Sequence, residues 1–212
     1  MKLILTSSKR NLLIFLILIS SISFSSSSFS KHNAVVVTRH HLATEVGSKV
    51  LMDGGNAFDA AISVAFALAV VNPSAGNIGG GGFALLYDTN KKTIESLDYR
   101  ERAPIEAKED MFLDENGNVI KGLSTSSFLA SGIPGTVDGM FKIHEKYGSF
   151  HMHKLIAPAI QLAEKGFVLS NFQAEYFNRI RDKFSKNPET KKIFVKNNLW
   201  KRGDLFQQKD LA

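Results

Sequence analysis

The sequence of 212 residues contains no cysteine. This absence excludes disulfide bonds, thiolate metal sites and a cysteine nucleophile, and it leaves the redox compartment open. The chain also lacks the G-x-S-x-G motif that exposes a nucleophilic serine at a strand-to-helix turn. No internal repeat is present. The apolar content of 44% and the charged content of 22% are ordinary for a globular protein, and the length favours one domain.

The N-terminus also lacks an apolar run long enough to span a bilayer, which requires about 20 residues. Three cations (Lys2, Lys9 and Arg10) precede the apolar run 12–19, and a serine-rich stretch follows it. These are the three parts of a secretory signal peptide. We therefore predict a signal peptide over residues 1–30 and export to the periplasm or the medium, with a retained anchor as the alternative. We predict an interaction with the membrane only for this signal peptide.

The C-terminal segment 179–212 is basic, with ten Lys or Arg residues against four Asp or Glu residues. A basic segment is one indication of nucleic-acid binding. Its aromatic residues, however, recur where amphipathic helices would bury them, and no recognition motif accompanies them. We interpret the segment as a solvated helical face and predict no nucleic-acid partner.

The body begins with an apolar β-branched run, residues 34–38, which predicts a buried strand. Apolar residues then recur at helical spacing over 42–52, and Asn56 is placed to cap a second helix that is rich in alanine and apolar on nearly all sides. The runs 83–88 and 93–99 predict a hairpin, and Asp114–Asn118 predicts a turn. Further helices are predicted after Pro134 and over 155–165 and 172–184. This order favours a layered α+β fold.

The segment 72–88, "NPSAGNIGGGGFALLYD", places five glycines within seven positions. A phosphate-binding loop would need a following Lys and a helix, and a dinucleotide fingerprint would follow a strand and open a helix. Here Gly82 precedes Phe83 and a strand. The residues alone favour glycines that supply positive φ angles and close backbone contact where a buried helix turns into a central strand.

The histidine pairs His40–His41 and His151/His153 are candidate metal ligands. A metal site needs further ligands and supporting hydrogen bonds, and no acid or third histidine stands at a matching spacing. We interpret these residues as surface histidines and predict no metal site.

Arg100 follows the second hairpin strand in the stretch "LDYRERAP", residues 97–104, where Pro104 favours extended backbone. The planar fork of a strand-end arginine suits bidentate binding of a carboxylate. A surface ion pair among Arg100, Glu101 and Arg102 explains the same residues. The spacing leaves both interpretations open.

Four stretches in this order resemble the γ-glutamyltranspeptidase family, and bacterial members in particular, over residues 34–212. They are "HHLATEVGSKVLMDGGNAFDAAISVAFALAVVNPSAGNIGGGGF", "LDYRERAP", "LASGIPGTVDGM" and "APAIQLAEKGF". The resemblance implies an N-terminal-nucleophile hydrolase, an αββα sandwich. It implies transfer of the γ-glutamyl group of glutathione or related compounds to water or amino acids, without a metal or organic cofactor. Arg100 is then the residue that binds the α-carboxylate of the substrate, and the glycine run packs around the central sheets.

In this family the nucleophile is a threonine in a Thr-Thr/Ser-His setting, at the N-terminus of a small subunit produced by self-cleavage. None of the eight threonines fits; Thr125 precedes two serines, but Phe128 rather than histidine follows. The resemblance therefore implies an incomplete sandwich, the N-terminal portion of the large subunit over 31–212, without a catalytic residue and inactive alone. The alternatives are a non-catalytic exported protein, a chain that acts only with a separate small subunit, and a related acylase.

Overall fold

The structure, a computed structural model, describes residues 34–76 and 78–212, so the predicted signal peptide lies outside the described residues. The chain divides into two units, Met1–Val35 and Val36–Ala212. All helices and strands named here belong to the second unit. They are α1 (His41–Met52), α2 (Ala57–Val71), β1 (Phe83–Asp88), β2 (Thr93–Asp98), α3 (Leu123–Ser126), a 3₁₀ turn (Phe128–Ala130), α4 (Thr136–Tyr147), α5 (Met152–Lys165), β3 (Phe167–Val168), α6 (Asn171–Arg179), α7 (Arg181–Phe184), α8 (Pro188–Phe194) and β4 (Leu205–Phe206).

The core is built around α2, which packs against α1, α4 and α5. Asn56 caps this helix as predicted: its side chain accepts from the N–H groups of Phe58 and Asp59, and the Asp59 carboxylate accepts from the Asn56 N–H. The one buried hydroxyl of the helix, that of Ser63, donates to the Leu155 carbonyl at 2.7 Å. This hydrogen bond joins α2 to α5 and satisfies the buried hydroxyl of Ser63.

The predicted hairpin is confirmed. Strands β1 and β2 pair antiparallel, from Phe83 opposite Asp98 to Asp88 opposite Thr93. Side chains alternate across the ribbon, so Leu86 packs into the core with 9% of its surface exposed while its neighbour Leu85 is 80% exposed. The outer face of the hairpin is therefore apolar and open to solvent.

The strand predicted over residues 34–38 is wrong, because the structure gives this segment no regular element. Val37 is 87% exposed, whereas the Val36 methyl groups pack beside Gly47 of α1. A strand needs a partner with which to exchange backbone hydrogen bonds. No strand pairs with this segment among residues 34–76 and 78–212. The β-branched composition therefore predicted a strand for which the described residues provide no pairing partner.

The helix predicted over 172–184 is divided in the structure, since α6 ends at Arg179 and α7 begins at Arg181. The aromatic residues of this segment pack together as expected of an amphipathic region. The ring of Phe194 lies 4.7 Å from that of Phe184 and 5.6 Å from that of Phe206. The cations thus lie on the solvent side of an aromatic cluster.

No helix among the described residues is both long and apolar enough to cross a membrane.

Candidate functional site

Arg100 lies directly beyond β2, in a backbone segment that is paired on both sides. Before it, Gly82 and Tyr99 exchange both backbone hydrogen bonds, at 2.9 and 3.3 Å. After it, Arg102 and Ile133 exchange both of theirs, at 2.7 and 3.1 Å. The Arg100 N–H itself donates to the Asp98 carboxylate at 2.9 Å. The main chain at Arg100 is therefore fixed by its neighbours on either side.

The Arg100 side chain is comparatively free. It is 57% exposed, its Nε lies 3.2 Å from Oε2 of Glu101, and its guanidinium carbon lies 5.9 Å from the centre of the Phe83 ring. No hydrogen bond joins the guanidinium to the rest of the described chain. The same Oε2 atom of Glu101 is buried and accepts no hydrogen bond among the described residues. The ion pair foreseen from the sequence therefore exists, yet the two outer nitrogens of the fork remain available for a carboxylate.

Three of the sequence motifs meet at this point. The Gly80 carbonyl accepts hydrogen bonds from the N–H groups of Gly135 (2.8 Å) and Thr136 (3.0 Å), which joins the glycine run to the start of α4. Gly81 contacts the backbone of Tyr99–Glu101 from one side. The expected close contact is confirmed, but the expected positive φ is not: Gly79, Gly81 and Gly82 are absent from the glycines with positive φ among the described residues.

The role of Tyr99 and of Gly139 was missed by the sequence analysis. The Tyr99 ring lies against Gly82 and Gly139, and burial raises the pKa of its phenol above the usual value. The spacing of Gly135 and Gly139 was a usable signal, because residues four apart share one face of a helix.

The histidine interpretation holds for His41, His151 and His153, which are exposed, but not for His40. The His40 ring caps α1 through Nδ1, which accepts from the Leu42 N–H at 3.3 Å, and its Nε2 lies 3.2 Å from the Gln173 amide nitrogen. Desolvation by burial and the neighbouring His41 lower the pKa of His40. Within the described ranges no group of three or more potential ligands is placed to hold a metal.

A groove of about 690 Å³ lies between α1 and α5, away from Arg100. Its walls are mainly apolar, and it contains Leu42, Val46, Met52, Phe150 and Pro158. Arg100 does not line it. Lys49, Lys154 and Gln161 also line it, but no hydrogen bond among the described residues joins a hydroxyl of the groove to a basic side chain, so its chemistry gives no reason to regard it as an active site.

Thr125, the threonine that precedes two serines, lies in the short helix α3, where its hydroxyl donates to the Gly122 carbonyl at 3.4 Å. Ser126, Ser127 and Phe128 follow it directly, so the expected histidine is absent from its immediate setting. The described residues thus contain a candidate binding residue for a carboxylate but no group activated for attack on an acyl carbon.

Comparison with solved structures places the fold in the N-terminal-nucleophile hydrolase class. The γ-glutamyltranspeptidase of Helicobacter pylori is similar with a TM-score of 0.81 and 49% identity, over 84% of this chain and 51% of that chain. The γ-glutamyltranspeptidase of Pseudomonas nitroreducens, solved in complex with L-DON, is similar with a TM-score of 0.77 and 38% identity, over 84% and 52% of the two chains. The fold-class prediction is confirmed, and this chain covers about half of each solved chain.

The family follows from the sequence comparison. The model of the γ-glutamyltranspeptidase family matches residues 43–212, and the chain belongs to this family. A curated relative, the glutathione hydrolase proenzyme of Pseudomonas sp. (strain A14), is 49% identical over 183 residues, which is 85% of this chain and 32% of the relative. The chain therefore spans about a third of the length of that relative.

Proposed function

We propose that residues 31–212 form the N-terminal part of the large subunit of a γ-glutamyltranspeptidase (glutathione hydrolase). Such an enzyme transfers the γ-glutamyl group of glutathione, or of another γ-glutamyl compound, to water or to an amino acid. The family match over 43–212 supports this assignment, as does the glutathione hydrolase proenzyme that is 49% identical. Neither a metal nor an organic cofactor takes part in the proposal.

The observation that carries the proposal is the state of Arg100. Its backbone is held by paired hydrogen bonds on both sides, while its side chain is 57% exposed and its guanidinium makes no hydrogen bond within the described chain. A guanidinium whose backbone is fixed and whose two outer nitrogens are available matches a planar carboxylate with two parallel N–H···O bonds. In this proposal Arg100 binds the α-carboxylate of the γ-glutamyl substrate and orients its side-chain carbonyl toward the nucleophile.

The nucleophile in this proposal is a threonine at the N-terminus of a small subunit, which is not among the 212 residues. Its hydroxyl attacks the γ-carbonyl carbon, its own amine takes the proton, and the amine of the leaving group departs with a proton. The γ-glutamyl ester that results is then attacked by water or by the amine of an acceptor, which releases the threonine. Arg100 keeps the γ-glutamyl group in place through both steps.

The partner surface for the small subunit, or for the remainder of a proenzyme, is proposed to include the outer face of the hairpin. Phe83, Leu85, Tyr87 and Ile94 are all well exposed there. A contiguous apolar face of this kind marks an interaction site on a soluble protein. The predicted signal peptide adds the further proposal that the enzyme acts in the periplasm or outside the cell.

Expression of residues 31–212 together with the remaining large-subunit and small-subunit residues of a family member tests the proposal. We expect release of the chromophore from a γ-glutamyl anilide by the reconstituted protein and none by residues 31–212 alone. The variant Arg100→Lys should raise KM at least about tenfold, because one point charge replaces a bidentate fork. Turnover by residues 31–212 alone, or an unchanged KM in Arg100→Lys, would overturn the assignment of these roles.

A further inference from the structure

We infer that Tyr99 is a positioning residue for Arg100, and that four glycines hold it: Gly81, Gly82, Gly135 and Gly139, called here the glycine socket. The inference rests on the proposed function, in which Arg100 binds the substrate carboxylate. It assigns a task to the glycine run and to the start of α4 that neither motif reveals by itself.

Two members of the glycine socket enclose the backbone around Arg100. A Cβ atom on Gly81 would lie 2.4 Å from the Tyr99 carbonyl oxygen and 2.8 Å from the Arg100 carbonyl carbon. A Cβ atom on Gly135 would lie 2.2 Å from the same Tyr99 oxygen and 3.1 Å from the Arg100 oxygen. Backbone atoms cannot rotate away as a side chain can, so any larger residue at either position must displace the peptide groups that flank Arg100.

The other two members enclose the Tyr99 ring. A Cβ atom on Gly139 would lie 2.5 Å from the ring carbon Cγ and 2.7 Å from Cβ of Tyr99, and one on Gly82 would lie 3.0 Å from the phenol oxygen. The Tyr99 ring is therefore packed against Gly139 at its Cγ end and against Gly82 at its hydroxyl end. Because Tyr99 precedes Arg100 directly, fixing the tyrosine fixes the direction in which the arginine leaves the chain.

Hydrogen bonds hold the glycine socket together. The Gly80 carbonyl joins the glycine run to Gly135, and the Gly82–Tyr99 pair joins the same run to the tyrosine. Two separate segments, the glycine run and the start of α4, thus close on Tyr99 and Arg100. Replacement of these glycines fills space that the neighbouring atoms need, and it does not act by imposing a strained φ angle, since none of the four has a positive φ.

The functional consequence is preorganisation. A bound carboxylate can orient the γ-carbonyl group only if the guanidinium extends from a fixed Cα position. A substitution far from the reacting bond that misplaces the substrate by about 1 Å can reduce the rate about a hundredfold. The glycine socket removes the main-chain freedom of Arg100 while its side chain stays open to solvent. The close packing of the glycines, rather than an ion pair, therefore fixes the main-chain position from which the charged guanidinium extends.

The chain supplies a matched pair of variants. Gly81→Ala meets backbone atoms, whereas Gly79→Ala, two residues earlier in the same glycine run, meets nothing within 4 Å and has no positive φ. The reconstituted enzyme is assayed with a γ-glutamyl anilide and with the 4-aminobutyryl anilide, which lacks only the α-carboxylate. We expect Gly81→Ala to reduce the preference for the γ-glutamyl substrate about tenfold or more, and Gly79→Ala to leave it within about twofold. General destabilisation would lower both activities together and would leave this ratio unchanged.

The variant Arg100→Lys distinguishes a failure of the proposed Arg100 role from a failure of the glycine socket. If Arg100→Lys leaves the substrate preference intact, the proposed role of Arg100 fails. If Arg100→Lys reduces the preference and Gly81→Ala does not, the glycine socket fails alone. A second measurement does not depend on turnover: in residues 31–212, Gly81→Ala should shift the backbone amide resonances of residues 99–102, and Gly79→Ala should not. Unshifted resonances in a folded Gly81→Ala protein would overturn the inference.

Discussion

Asp59 in α2 accepts hydrogen bonds from the backbone N–H of Ser149, at 2.9 Å, and from its hydroxyl, although the two residues are 90 positions apart. The same carboxylate accepts from the N–H of Phe150 at 3.3 Å and from that of Asn56 at 2.9 Å. Asp59 is fully buried. The first turn of the central helix is thus fastened to the loop that follows α4.

Asp59→Ala should lower the free energy of unfolding by about 3 kcal/mol or more, because it removes a fully buried carboxylate that accepts several hydrogen bonds, each worth about 1.5–3 kcal/mol to a charged acceptor. Urea denaturation of residues 31–212 measures the change. Asp138→Ala is the control: its carboxylate forms an exposed ion pair with Lys142, 2.7 Å away on the same helix, and its loss should leave the midpoint nearly unchanged. Equal shifts in the two variants would contradict this account of Asp59.

Acid should weaken the protein through Asp59. Burial raises the pKa of this carboxyl, but hydrogen bonds from Ser149, Asn56 and Phe150 outweigh that effect, and the pKa lies below its usual value of 3.8. A group whose pKa is lower in the folded state stabilises the fold above the unfolded pKa and loses that contribution as the pH falls through the folded pKa. Urea midpoints between about pH 6 and pH 2 should therefore fall more steeply in the wild type than in Asp59→Asn. Parallel curves would exclude Asp59 as the source.

His40 should produce a separate loss of stability at milder acidity. Burial and the neighbouring His41 lower its pKa below 6.5, although Gln173 and Glu45 act in the opposite direction. The unfolded chain then takes up the proton first, so stability is complete above pH 6.5 and declines as the pH falls toward the folded pKa. His40→Asn keeps a good capping residue for α1 and should remove this decline. Thermal melts at several pH values measure it, and the exposed His153→Asn should behave as the wild type.

The outer face of the hairpin should limit solubility. Leu85→Thr removes an exposed apolar side chain and should increase the monomeric fraction in light scattering without lowering the melting temperature, because threonine suits a strand. Leu86→Thr is the matched comparison on the opposite face, where it should destabilise the fold by about 1–3 kcal/mol. Identical behaviour of the two variants would show that the alternation of the strand does not decide the outcome.

Local signals were sufficient for much of this fold. Asn56 and Asp59 stand three residues apart before an apolar run, and the resulting cap forms as the sequence predicts. The hairpin follows because its two runs flank a four-residue polar loop, residues 89–92. In both cases the partners lie within a few residues of one another, so the pattern contains the whole interaction.

Non-local partners limited the rest. The segment 34–38 has the composition of a strand, but pairing depends on residues elsewhere, and the composition cannot supply them. At the candidate site the sequence singled out Arg100 through its strand-end position, whereas Tyr99 and Gly135 acquire their roles only when α4 folds back onto the hairpin. The Nε2 atom of His40 likewise lies 3.2 Å from the amide nitrogen of Gln173, which is 133 residues away.

The fastening of Asp59 by Ser149 has a consequence for the order of events during synthesis. A ribosome that adds 5–20 residues per second needs about 5–20 s to proceed from the first residue to the second. For that interval the Asp59 carboxylate has only its local partner, the Asn56 N–H, and it lacks the donors of Ser149 and Phe150 until that segment has left the exit tunnel. The contacts between the first turn of this helix and the loop after α4 therefore form late in synthesis, after the helix itself has been translated.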